Sequence, residues 1–176
     1  LLQSEILGDY SNAGIIEDGL KLAGERMTIF FYKVTDPYGC FSNFSLHSVH
    51  LQGHDWPTSE HFYQAQKYRD VDQALCDRIR QTPTPEEAAA LGRGSQVPLR
   101  PDWEKIKPKI MYEVVREKFS THADIRAILL ATGEELIVED SPRDAYWGCG
   151  LDGTGQNQLG KVLMQVRQEL RAKTAT

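Results

Sequence analysis

The chain is expected to fold as an α+β domain, mainly helical, a compact multi-helix unit with a small β-sheet built by its N-terminal third. Three observations predict this. Residues 28–34, Thr-Ile-Phe-Phe-Tyr-Lys-Val, are β-branched and aromatic, the composition of a strand. Two shorter apolar runs, 48–51 and 54–56, flank Gln52-Gly53 as the arms of a hairpin. Beyond Trp56 the apolar period becomes helical and mostly stays so; its clearest case is 157–172, where Leu159, Val162, Leu163, Val166 and Leu170 form one stripe. At 176 residues, 40% hydrophobic and 26% charged, the chain has the size and balance of one soluble domain with a real core.

Ahead of the first strand, residues 1–26 read as an extension, punctuated by Gly8, Gly14, Gly19 and Gly24 and without a persistent amphipathic run. The chain opens on Leu1 rather than Met, and Met27 is a candidate start for a domain expected over 27–174. After the strand at 28–34, Asp36-Pro37-Tyr38-Gly39 is a turn. Pro57 restricts the backbone after the hairpin, and Thr58 can accept a first-turn N–H, so a helix is expected over 58–69. A second is expected over 71–81, with Val71, Leu75 and Ile79 spaced by four. A short alanine-rich helix at 85–91 ends at Gly92. Asp102 is placed to cap a long helix to 119, with Ile110, Val114 and Val115 facing inward. Residues 122–131 form a further helix, stopped by Gly133, and 136–138 a short strand.

The composition also excludes functions. A net charge of −5 argues against a general binder of nucleic-acid backbone, though a local basic pocket is compatible with it. Cys40, Cys76 and Cys149 are scattered and form no CxxC, as reduced thiols of a cytoplasmic protein are. No apolar run approaches the ~20 residues of a membrane span, and no secretory signal pattern opens the chain. Dinucleotide, phosphate-loop and HExxH motifs are missing, and His47, His50 and His54 sit around the hairpin without paired metal spacing. No metal and no cofactor are expected.

Four clusters can carry chemistry. Glu60, Gln64 and Lys67 fall at i, i+4 and i+7 of the helix after Thr58, one face bearing a carboxylate, an amide and an amine. The alternative is a helix whose end charges merely suit its dipole. Phe62 and Ala65 turn toward the core. In the second cluster, Ser42 and Asn43 lie between Phe41 and Phe44, an amide beside aromatic faces that suits a flat heterocycle or its sugar; core packing around a turn-forming Asn is the competing reading. In the third, Arg93 stands between Gly92 and Gly94, either offering a charged fork and exposed N–H groups to a phosphate or lying solvated at a helix end. Nearby, Trp103 either stacks on a base or fills the core. The fourth is 144–157: Asp144, Tyr146 and Trp147, then four glycines leading to a helix N-terminus, where backbone can approach a ligand closely. Two carboxylates, an amine, aromatic plates and an isolated Arg lack redox and metal machinery. They suit cleavage of a glycosidic bond to a base, which needs a carboxylate facing a developing oxocarbenium ion, an acid for the leaving group and a stacking surface.

Five ordered motifs carry a resemblance. They are Phe41-Ser42-Asn43-Phe44, Trp56-Pro57-Thr58-Ser59-Glu60-His61, Gln64-Ala65-Gln66-Lys67, Asp144-Ala145-Tyr146-Trp147-Gly148 and Gly155-Gln156-Asn157-Gln158-Leu159-Gly160. Together, over about 29–170, they resemble the NADAR (NAD- and ADP-ribose-associated) family in its YbiA-like branch. The resemblance implies an N-glycosidase of compact, mainly helical fold. In that branch the substrates are the ribosylamino-pyrimidine 5′-phosphates of early riboflavin biosynthesis, and ribose 5-phosphate is released; other members remove ADP-ribose from guanine in nucleic acid. By motif it implies that Asn43, Glu60, Trp103, Asp144 and Trp147 are functional, with Lys67 a further candidate. Two departures stand out: Cys149 lies where the family often has an acid, and Gln156 and Gln158 where it often has basic residues. An anion site here must then lean on Arg93 or backbone N–H groups.

The expected function is therefore cytoplasmic N-glycoside hydrolysis of a small phosphorylated N-riboside, without membrane association. Glu60 is expected to stay ionised and face the cationic sugar. Asp144 is expected to handle water or protonate the leaving nitrogen, and Lys67 is placed for a Schiff base to the opened sugar if its pKa is lowered. Asn43, Phe44, Arg93, Trp103, Tyr146 and Trp147 are the expected binding residues. The other readings are an ADP-ribosyl-guanine hydrolase, which needs a wider pocket, and a non-catalytic NAD- or ADP-ribose-binding module.

Overall fold

The computed structural model describes residues 27–174, so the extension expected over 1–26 lies outside the described residues. In order, its elements are β1 (Thr28–Phe31), a 3₁₀ turn (Gly39–Phe41), β2 (Val49–Leu51), β3 (His54–Trp56), α1 (Ser59–Gln66), α2 (Gln73–Arg80), α3 (Pro85–Gly94), α4 (Trp103–Thr121), α5 (Ala123–Ala131), β4 (Leu136–Glu139) and α6 (Gln158–Thr174). The mainly helical α+β class is as expected. Among these elements, no helix is long and apolar enough to cross a membrane.

The strands form two pairs rather than one sheet. β2 and β3 are the antiparallel hairpin, Val49 opposite Trp56, turning through Gln52 and Gly53, both at positive φ (57° and 77°), as a two-residue hairpin of the primed type requires. β1 instead pairs in parallel with β4, Thr28 opposite Leu136 and Phe31 opposite Glu139. Only the hairpin is thus built wholly from the first third. The expected strand at 28–34 stops at Phe31 because the Lys33 N–H turns to Asp36 Oδ2 at 2.7 Å, and the Asp36 N–H returns to Lys33 O at 3.0 Å.

Local chemistry also moves helix boundaries. α2 starts at Gln73, later than expected, because Asp70 is left-handed (φ 65°) and Asp72 is the N-cap, its Oδ1 accepting from Leu75 N–H at 2.9 Å. Val71 therefore precedes the helix and is exposed. Asp102 occupies the N-cap position of α4 without a capping bond, because Arg100 Nε claims its carboxylate at 2.6 Å. Thr58 caps α1 as expected, accepting from His61 N–H.

α1 is the centre of the molecule. It packs against α2, α3 and α4, while α6 covers α4, α5 and β4. Phe62 and Ala65 join Leu75, Ile79, Val114, Val115 and Phe119 in the core; each large apolar side chain buried there contributes about 1.5–3 kcal/mol. The five stripe residues of α6 are all buried. Yet α1 also buries Ser59, Glu60, His61, Gln64 and Gln66. Burying so many polar groups costs stability unless partners meet them, so α1 marks where function competes with packing.

Candidate active site

The C-terminal end of β4, the loop over 42–44, the turn carrying Asp144 and Trp147 and one face of α1 enclose a cavity of about 160 Å³. Three pieces of backbone chemistry position its walls. Asn43 O accepts the Glu60 N–H at 3.0 Å, so the 42–44 loop satisfies the first turn of α1. The same loop is tied from behind by the buried Lys118, whose Nζ donates to Ser42 O at 2.9 Å and to Ser45 Oγ at 2.5 Å; burial pushes that amine down to about 7. On the other side, Gly92 lets α3 lie against α1. A Cβ there would stand 2.8 Å from Gln64 Cβ, and Tyr68 OH donates to Gly92 O at 2.7 Å. That contact carries Arg93, in the last turn of α3, over Glu60.

Glu60 is 96% buried, given its 4% exposure, and its Oε1 accepts from Gln64 Nε2 at 2.8 Å and faces Arg93 Nη2 at 3.5 Å. Burial pushes its carboxyl above the ordinary carboxylate range; Gln64, Arg93 and Lys67 oppose that rise and Asp144 adds to it. The first-turn position alone therefore does not keep Glu60 ionised; its polar partners must offset the loss of water. Lys67 lies one turn beyond Gln64, 5.8 Å from the centre of the Tyr63 ring. Burial lowers its pKa, against the pull of Glu60 and with help from Arg93 and Lys107. Both conditions for a nucleophilic amine, burial and neighbouring cations, are present.

Asp144 enters from the opposite wall. Its Oδ1 accepts from the N–H groups of Tyr146 (2.9 Å) and Trp147 (2.8 Å), which fixes the turn that follows. Trp147 lines the cavity and donates from Nε1 to Tyr63 OH at 3.1 Å, the rings edge to face at 5.5 Å. Asn43 and Gln64, each more than nine-tenths buried, line the cavity with amide oxygens that lack a protein partner. A ligand carrying hydroxyl or amino donors satisfies them.

Most of the residues expected from sequence meet here: Asn43, Phe44, Glu60, Lys67, Arg93, Asp144 and Trp147 all line the cavity. Two stand back. Trp103 is buried behind Tyr63, ring centres 5.1 Å apart, and is not among the lining residues. Tyr146 sits outside Trp147, under Lys107 Nζ at 3.9 Å from its ring centre. Arg93 lies within α3, not past it, and its head is mostly exposed. In the 144–157 loop, Gly150 and Gly155 pack the loop on itself, a Cβ on Gly155 standing 2.5 Å from Gly148 O, while Gly148 lies against the Glu139 carbonyl of β4 and Gly153 faces open space. Gln156 and Gln158 bond to that same loop through their N–H groups, at 2.7 Å to Ala145 O and 3.0 Å to Tyr146 O, and line neither cavity described here.

Sequence reading missed Tyr63, Met111 and Glu139, which also line the cavity. Tyr63 was legible, lying three residues after Glu60 on the same helical face. Glu139 depends on the pairing of β1 with β4, which no local pattern predicts. Burial, then Asp144 and Glu60, push its carboxyl up to about 7. Among the described residues, no group of three His, Cys, Asp or Glu is placed to hold a metal ion.

Beyond the mouth lies an outer chamber of about 740 Å³, walled in part by Tyr32, Lys33, Phe44, Arg93, Arg143 and Asp144. Its size is in the range of small-molecule sites, roughly 300–1,000 Å³.

Comparison with known proteins agrees with this picture. The NADAR domain matches residues 30–171. An N-glycosidase of Nostoc punctiforme, Npun_R5314, is 58% identical over 146 residues, covering 82% of this chain and 94% of that one. The N-glycosidase YbiA of Escherichia coli is 45% identical over 142 residues, 81% of this chain and 88% of YbiA. An NMR structure of the E. coli protein YbiA superposes with a TM-score of 0.79 at 42% identity, covering 86% of this chain and 89% of that one. The chloroplastic riboflavin biosynthesis protein PYRR of Zea mays is 42% identical over 159 residues, 83% of this chain but 26% of PYRR. With a family match over most of its length and relatives this similar over most of theirs, the chain belongs to the NADAR domain family.

Proposed function

We propose that this chain is an N-glycosidase that hydrolyses the bond between ribose and base in ribosylamino-pyrimidine 5′-phosphates, releasing ribose 5-phosphate. The N-glycosidase class rests on relatives of that name at 45–58% identity over most of the chain; the pyrimidine substrate is suggested by the riboflavin-biosynthesis relative. The observation that carries the mechanism is Glu60, buried against a one-ring cavity and partnered by Gln64 and Arg93. A cavity of roughly 150 Å³ holds a single benzene-sized ring, so one pentose fits. As the C1′–N bond lengthens, positive charge grows on the sugar beside Glu60. A carboxylate in a water-poor site stabilises that charge far more than it stabilises the neutral ground state. Trp147 and Tyr63 give the flat walls, and the unpartnered oxygens of Asn43 and Gln64 accept sugar hydroxyls.

Arg93 serves the 5′-phosphate from the mouth. Arg93→Ala is expected to raise KM for the phosphorylated substrate about tenfold, a charged hydrogen bond discounted for exposure, while the dephosphorylated analogue changes less. Equal losses on both in steady-state kinetics give Arg93 only its pairing with Glu60. Lys67 condenses reversibly with the open-chain aldehyde of the released ribose 5-phosphate, losing water to form a Schiff base beside the hydrolytic route: borohydride added during turnover is expected to leave one ribosyl-phosphate adduct on Lys67, seen by peptide mass spectrometry, and none on the Lys67→Met variant. A wild-type enzyme that stays unmodified removes the Schiff base.

A second reading has its own observation. The outer chamber has room for a diphosphate and a second sugar, as an ADP-ribosyl-guanine hydrolase requires. Comparing kcat/KM on a ribosylamino-pyrimidine 5′-phosphate and on ADP-ribosylated guanosine tests the choice. Preference for the first by tenfold or more is the expected result; the reverse order assigns the chamber to ADP-ribose.

A further inference from the structure

The inner cavity and the outer chamber share Ser42, Phe44, Arg93, Glu139 and Asp144. Glu60, Tyr63 and Lys67 line the inner space alone; Tyr32, Lys33 and Arg143 line the outer space alone. An inner cavity with room for one ring cannot also hold a base. A ribosyl group seated over Glu60 must therefore project its base across the shared boundary. The bond to be broken then lies beside the two carboxyls that line both spaces, Glu139 and Asp144.

These two carboxyls differ. Asp144 uses Oδ1 as an acceptor for two backbone N–H groups. Glu139 has no side-chain hydrogen bond among the described residues, and its Oε2 is buried without a partner. Its main chain, by contrast, is held on both sides: its N–H donates to Asn157 Oδ1 at 3.0 Å and its carbonyl accepts from Cys149 N–H at 2.9 Å. The backbone is clamped while the carboxyl is left for a ligand.

On the N-riboside reading above, we infer that Glu139 is the general acid of the reaction, protonating the leaving nitrogen as the base departs into the outer chamber. The C1′–N bond breaks and its electron pair passes to nitrogen, which takes the proton of the Glu139 carboxyl. The oxygen of a water molecule bonds to C1′, and its proton passes to the Asp144 carboxylate. Exchange with solvent returns one proton to Glu139 and removes one from Asp144. One water is consumed, and a base N–H and a sugar hydroxyl are formed.

The electrostatics favour this role. Burial, Asp144 and Glu60 hold the Glu139 carboxyl up at about 7, so much of it carries a proton at neutral pH. The other charged or titratable groups near it are Arg93, on the same two walls, Tyr63 and Lys67, across the inner cavity, Tyr32, Lys33, Glu86 and Arg143, across the outer chamber, and Asp140 and Cys149, in the adjoining loop. β1 carries no titratable side chain, and α6 and the residue before it meet the end of β4 through the uncharged Asn157 and Gly160. An acid must be protonated to act, so wild-type kcat is expected to fall as pH rises through about 7.

The test compares Glu139→Gln with wild type on two substrates: the ribosylamino-pyrimidine 5′-phosphate, whose amine needs a proton to leave, and 4-nitrophenyl riboside 5-phosphate, whose leaving group does not. On the first, kcat is expected to fall about 10²–10⁴-fold and the alkaline limb to vanish; on the second, the loss stays within about threefold. The retained turnover on the second substrate reports an intact fold. Equal losses on both, an unchanged rate on the first, or a surviving alkaline limb overturns the role. If Glu139→Gln does not fold, Glu139→Asp replaces it: it keeps an acid one methylene shorter, and only the first substrate is expected to slow. A wild type that cleaves neither substrate overturns the N-riboside reading and this proposal with it; a wild type that cleaves both beside an unaffected variant overturns the proposal alone.

Discussion

Glu60→Gln is expected to lower kcat at least about 10²-fold while KM moves little. The substitution keeps shape and most hydrogen bonding, including a partner for Gln64, but removes the charge that faces the forming oxocarbenium ion. The melting temperature separates this role from a structural one. If Glu60 merely suited the dipole at the start of α1, Glu60→Gln should cost about 0.3–1 kcal/mol and spare turnover. The geometry predicts otherwise. Burial raises the Glu60 carboxyl above its ordinary pKa, so its folded value lies above its unfolded one. For an acid this means that stability fully present at low pH declines as pH rises through that interval. At neutral pH, holding the carboxylate costs the fold stability, and Glu60→Gln should melt at the same temperature or higher. Arg93, mostly exposed, remains solvated without its partner. A variant that melts earlier yet turns over normally removes Glu60 from the chemistry.

Gly160→Ala is expected to be severely damaging, costing about 3 kcal/mol or more and most of the activity. In the first turn of α6, a Cβ at this position would be driven into the Ile137 carbonyl of β4 and would sit 2.5 Å from Asn157 Nδ2 and 2.6 Å from its Oδ1. Asn157 is itself held in a left-handed conformation (φ 49°) that Asn tolerates better than most residues. Its amide bridges to β4 twice, donating to Ile137 O at 2.8 Å and accepting from Glu139 N–H at 3.0 Å. The added methyl must break that bridge or push α6 off the strand, and either shift moves Glu139. Gly94→Ala is the control: its Cβ would meet nothing within 4 Å, and the change should stay within about 0.5 kcal/mol. Denaturant unfolding of both variants reads the difference.

The helical face of Glu60, Gln64 and Lys67 was legible because a period of 3.6 residues can be counted along the chain, and all three side chains line the cavity. The α6 stripe and the hairpin were legible for the same reason: their signals are local. Where long-range contacts decide, the reading stopped short. Nothing near Thr28 says that its partner is Leu136, so Glu139, delivered to the cavity by that pairing, went unseen. Trp103 begins its helix as a stacking residue might, yet Tyr63 stands between it and the cavity. The glycines between Asp144 and Asn157 resemble a ligand-approach loop; the close contacts of Gly148, Gly150 and Gly155 are with the loop itself, Ser141 and the end of β4, a distinction that only the folded backbone makes.

The central claim is that this chain cuts the N-glycosidic bond of a phosphorylated riboside, and product identity tests it most directly. Wild-type enzyme is incubated with a ribosylamino-pyrimidine 5′-phosphate, and free base and ribose 5-phosphate are quantified together by chromatography and mass spectrometry. The account predicts equimolar release of the two, faster than the substrate decays alone and lost in Glu60→Gln. Substrate that remains intact beyond its spontaneous decay, or phosphate released with the ribosyl–base bond unbroken, contradicts it.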